Sequence, residues 1–351
     1  MPHFETGSIK IIPTLLFTFF MLCLPTGDLW ADLQNNLKGC AAIEDEALRL
    51  QCYDEIAGRT SPKGDAPLQT ASIPPSPGPR KVSVLSDLWE MDKSQSRSKF
   101  TIKMHRSNYI LPFTYNRSPN NGPIHEVDPD TDVYESEVAF QLSIKSKLWE
   151  GVLGKDMDLW VGYTQRSFWQ LYNSDSSPFR ETNYEPELLL NLPMSTDLLG
   201  MTLRTVNFGI NHQSNGRGGS LSRSWNRIVA NFGFEKENLF SGGDTAVLQL
   251  KTWYRIPESS NDDDNPDIED YLGNGEIWGY YLWENHRFGM MVRNNLDFND
   301  NRGAFQVEWS FPLNNRISGY LQYYTGYGES LLDYDHTVNR IGLGFILTDW
   351  N

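Results

Sequence analysis

The chain has 351 residues, 21% of them charged, and a formal net charge of −15. That acidity excludes nucleic acid as the main partner, because phosphate recognition needs clustered Lys and Arg. A helical membrane protein needs apolar runs of about 20 residues, and only one short candidate exists. A membrane β-barrel survives these exclusions: half of each strand is polar, so the mean hydropathy of −0.49 does not detect it.

The one apolar run, residues 11–24, follows Lys10 and is interrupted by Pro13. It reads as a secretory signal spanning 1–31, with Ala31 as the candidate cleavage residue. Past it, Cys40 and Cys52 are the cysteines that remain, and a pair left in an exported chain predicts one disulfide. They sit on a helical pattern with Ile43, Ala47 and Leu50. One straight helix would hold them too far apart, so the helix must break or turn for the bridge to close. Residues 32–59 thus form a small Cys-bridged helical module. Residues 60–82, rich in Pro, Ser and Gly, form a linker.

From 83 to 351 the pattern is strand-like. Val138, Phe140, Leu142 and Ile144 alternate with Ala139, Gln141, Ser143 and Lys145. Val206, Phe208 and Ile210 alternate with Thr205, Asn207 and Gly209. Ile228, Ala230, Phe232 and Phe234 share a face, as do Ala246, Leu248, Leu250 and Tyr254, and Ile341, Leu343, Phe345 and Leu347. Period-two alternation gives one apolar and one polar face. About twelve such segments, mostly near ten residues, have the length of a tilted membrane strand. Short polar gaps, such as Asn314 and Asn315, contrast with long ones at 173–186 and 257–275. The expected fold is all-β: a twelve-stranded antiparallel transmembrane β-barrel with short turns on one rim and long loops on the other.

The stretch 211–227, NHQSNGRGGSLSRSWNR, carries the chemistry. His212 and Ser214 are two apart, so an extended strand puts them on one face, where imidazole can serve as base for a hydroxyl nucleophile. A third group must orient the ring; Asn is a known variant of the usual Asp. Asn226 begins the next strand after a Gly- and Ser-rich hairpin, within reach of His212. The register puts all three on the apolar, lipid-facing side, where polar groups are expensive. Gln165 shares a face with Leu159, Val161 and Tyr163, and an amide there favours a contact across a partner.

With SSPFRETNYEPE upstream (176–187) and QYYTGYGESLLDYDHTVNRIGLGF downstream, this stretch resembles the outer-membrane phospholipase A family over roughly residues 98 to 351. The resemblance implies a calcium-dependent serine hydrolase in the outer membrane of a Gram-negative bacterium. Its substrates would be glycerophospholipids and lysophospholipids, cleaved as a phospholipase A1/A2 that is active as a homodimer. It makes Ser214 the nucleophile, His212 the base, Asn226 the orienting residue, the Gly216 amide an oxyanion donor and Gln165 a dimer contact. It maps a dimer calcium site onto the Arg217 carbonyl, the Ser222 hydroxyl and the Ser176 carbonyl from the partner subunit. Of a second, monomer-type site it retains Asp264 but finds Gly219 where a carboxylate belongs. The chain also ends Trp350-Asn351, where the family usually ends in an aromatic residue.

Two other readings compete. A non-enzymatic porin or adhesin barrel would need an open lumen, yet Gln141, Lys145, Gln249 and Lys251 point inward and can fill it. A soluble calcium-binding β-sandwich would also alternate along its strands, and detergent-dependent solubility separates it.

Overall fold

The computed structural model describes residues 40–43, 45–56, 83–92, 100–174, 177–240, 242–314 and 317–348. The signal at 1–31, the linker at 60–82, Ser176 and Trp350 lie outside them. Two compact units emerge, Met1–Gly78 and Pro79–Asn351.

The first unit contains helix α1 (Glu46–Ile56). Its start is fixed by Asp45, whose carboxylate accepts the Leu48 N–H at 3.0 Å. Cys40 and Cys52 are disulfide-bonded, with Cα atoms 5.6 Å apart. Ala42 and Ile43 are not helical, and this break lets Cys40 fold back beside α1.

The second unit is a barrel. Its strands are β1 (Ile102–Met104), β2 (Asn108–Asn116), β3 (Ser136–Trp149), β4 (Asp158–Trp169), β5 (Phe179–Leu198), β6 (Met201–Ser214) and β7 (Ser224–Glu237). They continue with β8 (Thr245–Arg255), β9 (Gly275–Trp283), β10 (His286–Asn294), β11 (Gly303–Pro312), β12 (Ser318–Gly326) and β13 (Val338–Thr348). Every neighbour pair is antiparallel, β13 pairs with β2, and β3 pairs with β4, so the sheet closes. Both β1 and β2 lie along β3, β1 against Ile144 to Ser146 and β2 against Ser136 to Gln141. They are two pieces of one broken strand, and the ring has twelve strand positions. Closure removes the sheet edge except at short β1, whose ladder partner is β3, and meets the rule that a membrane-spanning backbone bonds internally.

The faces follow the period-two pattern. Phe208, Ile210, Leu142, Tyr254, Ile341, Leu343 and Phe345 are exposed on the outer wall. Asn207, Asn211, Gln141, Ser143 and Lys145 are buried on the inner one. Exposed aromatics mark both rims: Trp149 and Trp283 at the short-turn end, Tyr115 and Tyr254 at the long-loop end. Such girdles belong at the two interfaces of a membrane. Among the described residues no helix is long and apolar enough to cross a membrane; the strands do so.

One loop is shorter than its sequence predicts. The gap expected at 173–186 ends where β5 begins at Phe179, and Pro186 lies inside that strand, opposite Tyr163 of β4. The β5–β6 ladder tolerates the proline by an interruption: partners run from Glu187↔Asn211 to Tyr184↔Ser214 with none between. A residue without an N–H can sit in a strand only where no ladder bond is asked of it.

The lumen is filled. Arg106 forks onto Glu185 at 2.8 and 3.0 Å and reaches Glu187 at 3.0 Å. Arg180 bonds Glu137 and Asp333, Arg287 bonds Glu308, and Arg340 bonds Glu329. One cavity among the inner-wall residues measures about 180 Å³. A feature the alternation did not reveal is a short helix inside the barrel, α2 (Val84–Leu88). Glu235 of β7 accepts Ser83 Oγ at 2.7 Å and the Val84 and Leu85 N–H groups, both at 3.1 Å. Just past α2, Trp89 packs edge-on against Trp160, and Lys145 Nζ lies 3.4 Å from the Trp89 ring centroid.

Candidate active site

His212 and Ser214 lie in the last three residues of β6, and Asn226 is the third residue of β7. In the ladder His212 is paired with Asn226 and Ser214 with Ser224. Their parity is that of Phe208, Ile210 and Ile228, all exposed, so the three side chains stand on the outer wall at the long-loop end. His212 Nδ1 lies 2.8 Å from Asn226 Oδ1. A carbonyl oxygen only accepts, so the ring nitrogen there donates, which leaves Nε2 as the basic nitrogen of the neutral ring.

The connection from 215 to 223 is held by one buried side chain. Asn215 donates from Nδ2 to the Leu221 carbonyl at 2.8 Å. Its Oδ1 accepts the Arg217 and Arg223 N–H groups at 3.2 and 3.1 Å. Gly216 has φ +65°, and a Cβ there would lie 3.1 Å from Tyr184 Cε2. The left-handed backbone favours glycine, and a larger residue would also press the Tyr184 ring aside by a few tenths of an ångström. Arg217 anchors the loop by donating to the Phe179 and Arg180 carbonyls.

The loop between β8 and β9 closes over the start of β7. It contains α4 (Ile268–Leu272); a further short helix, α3 (Gly122–His125), lies in the loop before β3. Fully buried Asn265 accepts the Ser224 N–H at 2.9 Å. Ser222 Oγ donates to Asp264 Oδ2 at 2.6 Å. Two residues assigned to separate calcium sites thus touch in a single subunit. Gly219 carries no carboxylate, and among the described residues no three His, Cys, Asp or Glu side chains cluster as a metal site. The same loop brings Glu258, whose Oε1 accepts Asn226 Nδ2 at 2.8 Å.

Gln165 stands on the same wall. It pairs with Tyr184, which pairs with Ser214, so one outward row runs from Gln165 across β5 to the hydroxyl. Strands lie about 4.8 Å apart, which separates the two backbones by roughly 10 Å. Within its own chain Gln165 already accepts from Tyr163 OH at 3.1 Å and donates to Ser167 Oγ at 3.2 Å.

The Phospholipase A1 family profile matches residues 85–347. The chain belongs to the phospholipase A1 family. A putative phospholipase A1 of Neisseria meningitidis is 34% identical over 354 residues, covering 88% of this chain and 90% of that one. An active-site mutant of the outer membrane phospholipase A of Escherichia coli superimposes with a TM-score of 0.67 at 36% identity, covering 76% of this chain and 98% of that one. A calcium-bound dimer of the Salmonella typhi outer membrane phospholipase gives a TM-score of 0.67 at 35% identity, covering 77% and 98%. Phospholipase A1 membership places the chain in the outer membrane of a Gram-negative bacterium, among enzymes that cleave phospholipid ester bonds. It sets aside the porin and adhesin reading, and the closed barrel sets aside the soluble sandwich.

Alternation and spacing do not mark Asn215, Asn265 or Glu258 as site residues. Glu258 had a faint signal. The β7–β8 register pairs Ile228 with Tyr254, so Ile256 falls beside Asn226, and the Ile256 N–H does bond the Asn226 carbonyl at 2.8 Å. The next residue is Pro257, which turns the chain and lets Glu258 reach back.

Proposed function

We propose that this phospholipase is a calcium-dependent serine hydrolase of glycerophospholipids and lysophospholipids, with Ser214 as nucleophile, His212 as base and Asn226 as the residue that orients the base. The observation that carries the reading is the 2.8 Å contact between His212 Nδ1 and Asn226 Oδ1, on the lipid-facing wall, two residues from a serine. A phospholipid beside that wall presents its ester near the interface, at the height of the hydroxyl.

Ser214 Oγ attacks the ester carbonyl while His212 Nε2 takes its proton. The tetrahedral oxyanion develops beside the Gly216 amide, a preorganised donor whose orientation the Asn215-stapled loop fixes. The imidazolium then protonates the departing glycerol oxygen, leaving an acyl-enzyme, and water activated by the same imidazole releases the fatty acid. Asn226 holds the ring in the tautomer that both steps require.

The donors near the site suit calcium, which takes hard oxygen ligands. The Ser222 hydroxyl, the Arg217 carbonyl and the partner subunit's Ser176 carbonyl form the proposed dimer set, and Asp264, from the separate monomer-type site, lies 2.6 Å from Ser222 Oγ. Bound there, the ion would supply positive charge to the oxyanion side of the site. The row that joins Gln165 to Ser214 supports a dimer interface on the catalytic wall, so that pairing and activity rise together. Linkage requires that an ion bound better by the dimer tighten the dimer by the same factor.

The test is fatty-acid release from phosphatidylcholine–detergent micelles, alongside sedimentation, with calcium and then with chelator. Chelation should abolish release and shift dimer to monomer. Full activity in a strictly monomeric, chelated preparation would sink the calcium and dimer parts of the proposal.

A further inference from the structure

We propose that Glu258 is a positioning residue for hydrolysis: its carboxylate fixes which end of the Asn226 amide faces His212. This rests on the assignment of His212, Ser214 and Asn226 given above and extends it by one residue.

An orienting asparagine differs from an orienting aspartate in a way that matters here. A carboxylate presents an acceptor at either oxygen. A primary amide has an acceptor end and a donor end, and rotation by half a turn exchanges them. With Oδ1 toward His212, the ring carries its proton on Nδ1, and Nε2 is free to accept from Ser214. With Nδ2 toward His212, Nδ1 must accept, the proton moves to Nε2, and the nitrogen left for the serine is protonated and cannot take its proton. Something must therefore select the rotamer.

Glu258 has the required chemistry. An ionised carboxylate only accepts, so it can bond Nδ2 but not Oδ1. At 2.8 Å from Nδ2, it makes one rotamer bonded at both ends, and the flipped one would set Oδ1 against a carboxylate and force the ring proton onto Nε2. Its placement is built into the backbone. The β7–β8 ladder continues one residue past β8 through the Ile256 N–H to the Asn226 carbonyl bond at 2.8 Å. Pro257 then ends the strand, and the Asn265 bond to Ser224 N–H pins the far side of the same loop to β7. Asn226 and Glu258 are both only partly buried, so the contact competes with water and gives a moderate effect. The chain Glu258–Asn226–His212 also polarises the amide, which strengthens Oδ1 as an acceptor when the imidazolium forms.

The experiment uses the full-length enzyme in calcium-containing mixed micelles, with kcat and KM measured for wild type, Glu258→Ala, Glu258→Gln, Asn226→Ala and the Asn226→Ala/Glu258→Ala double variant. Heat-modifiable migration checks that each barrel folds. We expect Glu258→Ala to lower kcat about tenfold with KM within about twofold, because only the set of the base is disturbed. Glu258→Gln, which keeps an acceptor but can itself flip, should fall between wild type and Glu258→Ala. The double variant should match Asn226→Ala within about twofold, since Glu258 acts only through that amide. Wild-type kcat in Glu258→Ala, a rise in KM at unchanged kcat, a Glu258→Gln variant no better than Glu258→Ala, or multiplied losses in the double variant would each overturn the proposal. If Asn226→Ala itself equals wild type, the failure lies with the underlying catalytic assignment instead.

Discussion

The two walls of this barrel treat polar groups in opposite ways. Inside, charges are abundant and paired: Arg106, Arg180, Arg287 and Arg340 each meet a carboxylate. Outside, the band is largely apolar, and at its long-loop end a polar row runs through Gln165, Ser214, His212 and Asn226. An ion pair within a filled lumen is needed once the inner face is polar, because breaking it strands a buried charge. His212, bonded to Asn226 on the lipid-facing wall, closes no buried ion pair of this kind. Polarity is a packing device on the inner wall, and at the long-loop end of the outer wall it marks the candidate site.

The comparison breaks most sharply at the serine and the histidine. Ser214→Ala and His212→Ala should each lower turnover at least ~10⁴-fold while leaving the heat-modifiable folded band unchanged. A residue used only for packing would show the reverse. Arg287→Ala is the counterpart inside. It leaves Glu308 buried without its partner and should cost about 3–5 kcal/mol of stability, with activity per folded barrel unchanged. Equilibrium unfolding in urea beside a turnover assay reads both; an intact but inactive Arg287→Ala barrel would erase the distinction between the walls. Asn226→Ala comes next, with a loss of about 10²-fold in kcat at unchanged stability, because nucleophile and base remain; a loss equal to that of Ser214→Ala would contradict an orienting role.

The smallest effect concerns the loop between β12 and β13. Burial works against the ionisation of Asp333, but Arg180, with bonds from Ser330 and Asn120, holds it below the ordinary carboxylate range. A lowered native value contributes stability that is present above the unfolded value, about pH 4, and is lost as pH falls through the native one. Thermal unfolding from pH 7 downwards should show wild type losing stability in this acid window and Asp333→Asn following a flatter curve. Parallel curves would mean that Asp333 does not supply this linkage.

Much of this was legible in the sequence because a barrel strand writes its two faces directly into alternate residues. Phe208 and Ile210 against Asn207 and Asn211 fix the wall on which His212 stands, and the hairpin fixes Asn226 opposite. What alternation cannot show is anything that leaves the strand. Helix α2 lies in the lumen because Glu235 caps it and Trp89 meets Trp160, contacts between residues far apart in the chain. Pro186 argued for a loop, whereas the interrupted β5–β6 ladder accepts it as strand. Glu258 reaches Asn226 only through a register that places Ile256 first. The roles of Gly216, Arg217, Ser222 and Ser176 came from resemblance to a family, since a glycine amide or a main-chain carbonyl carries no side-chain signature.

The most direct measurement of the outer-wall site is fatty-acid release from phospholipid–detergent micelles by wild type and Ser214→Ala, both carrying the folded, heat-modifiable band and both in calcium. A lipid-facing Ser214 nucleophile predicts sustained release by wild type and release at the no-enzyme level by Ser214→Ala. Comparable release by the two proteins would show that the ester is cleaved elsewhere and would contradict the assignment.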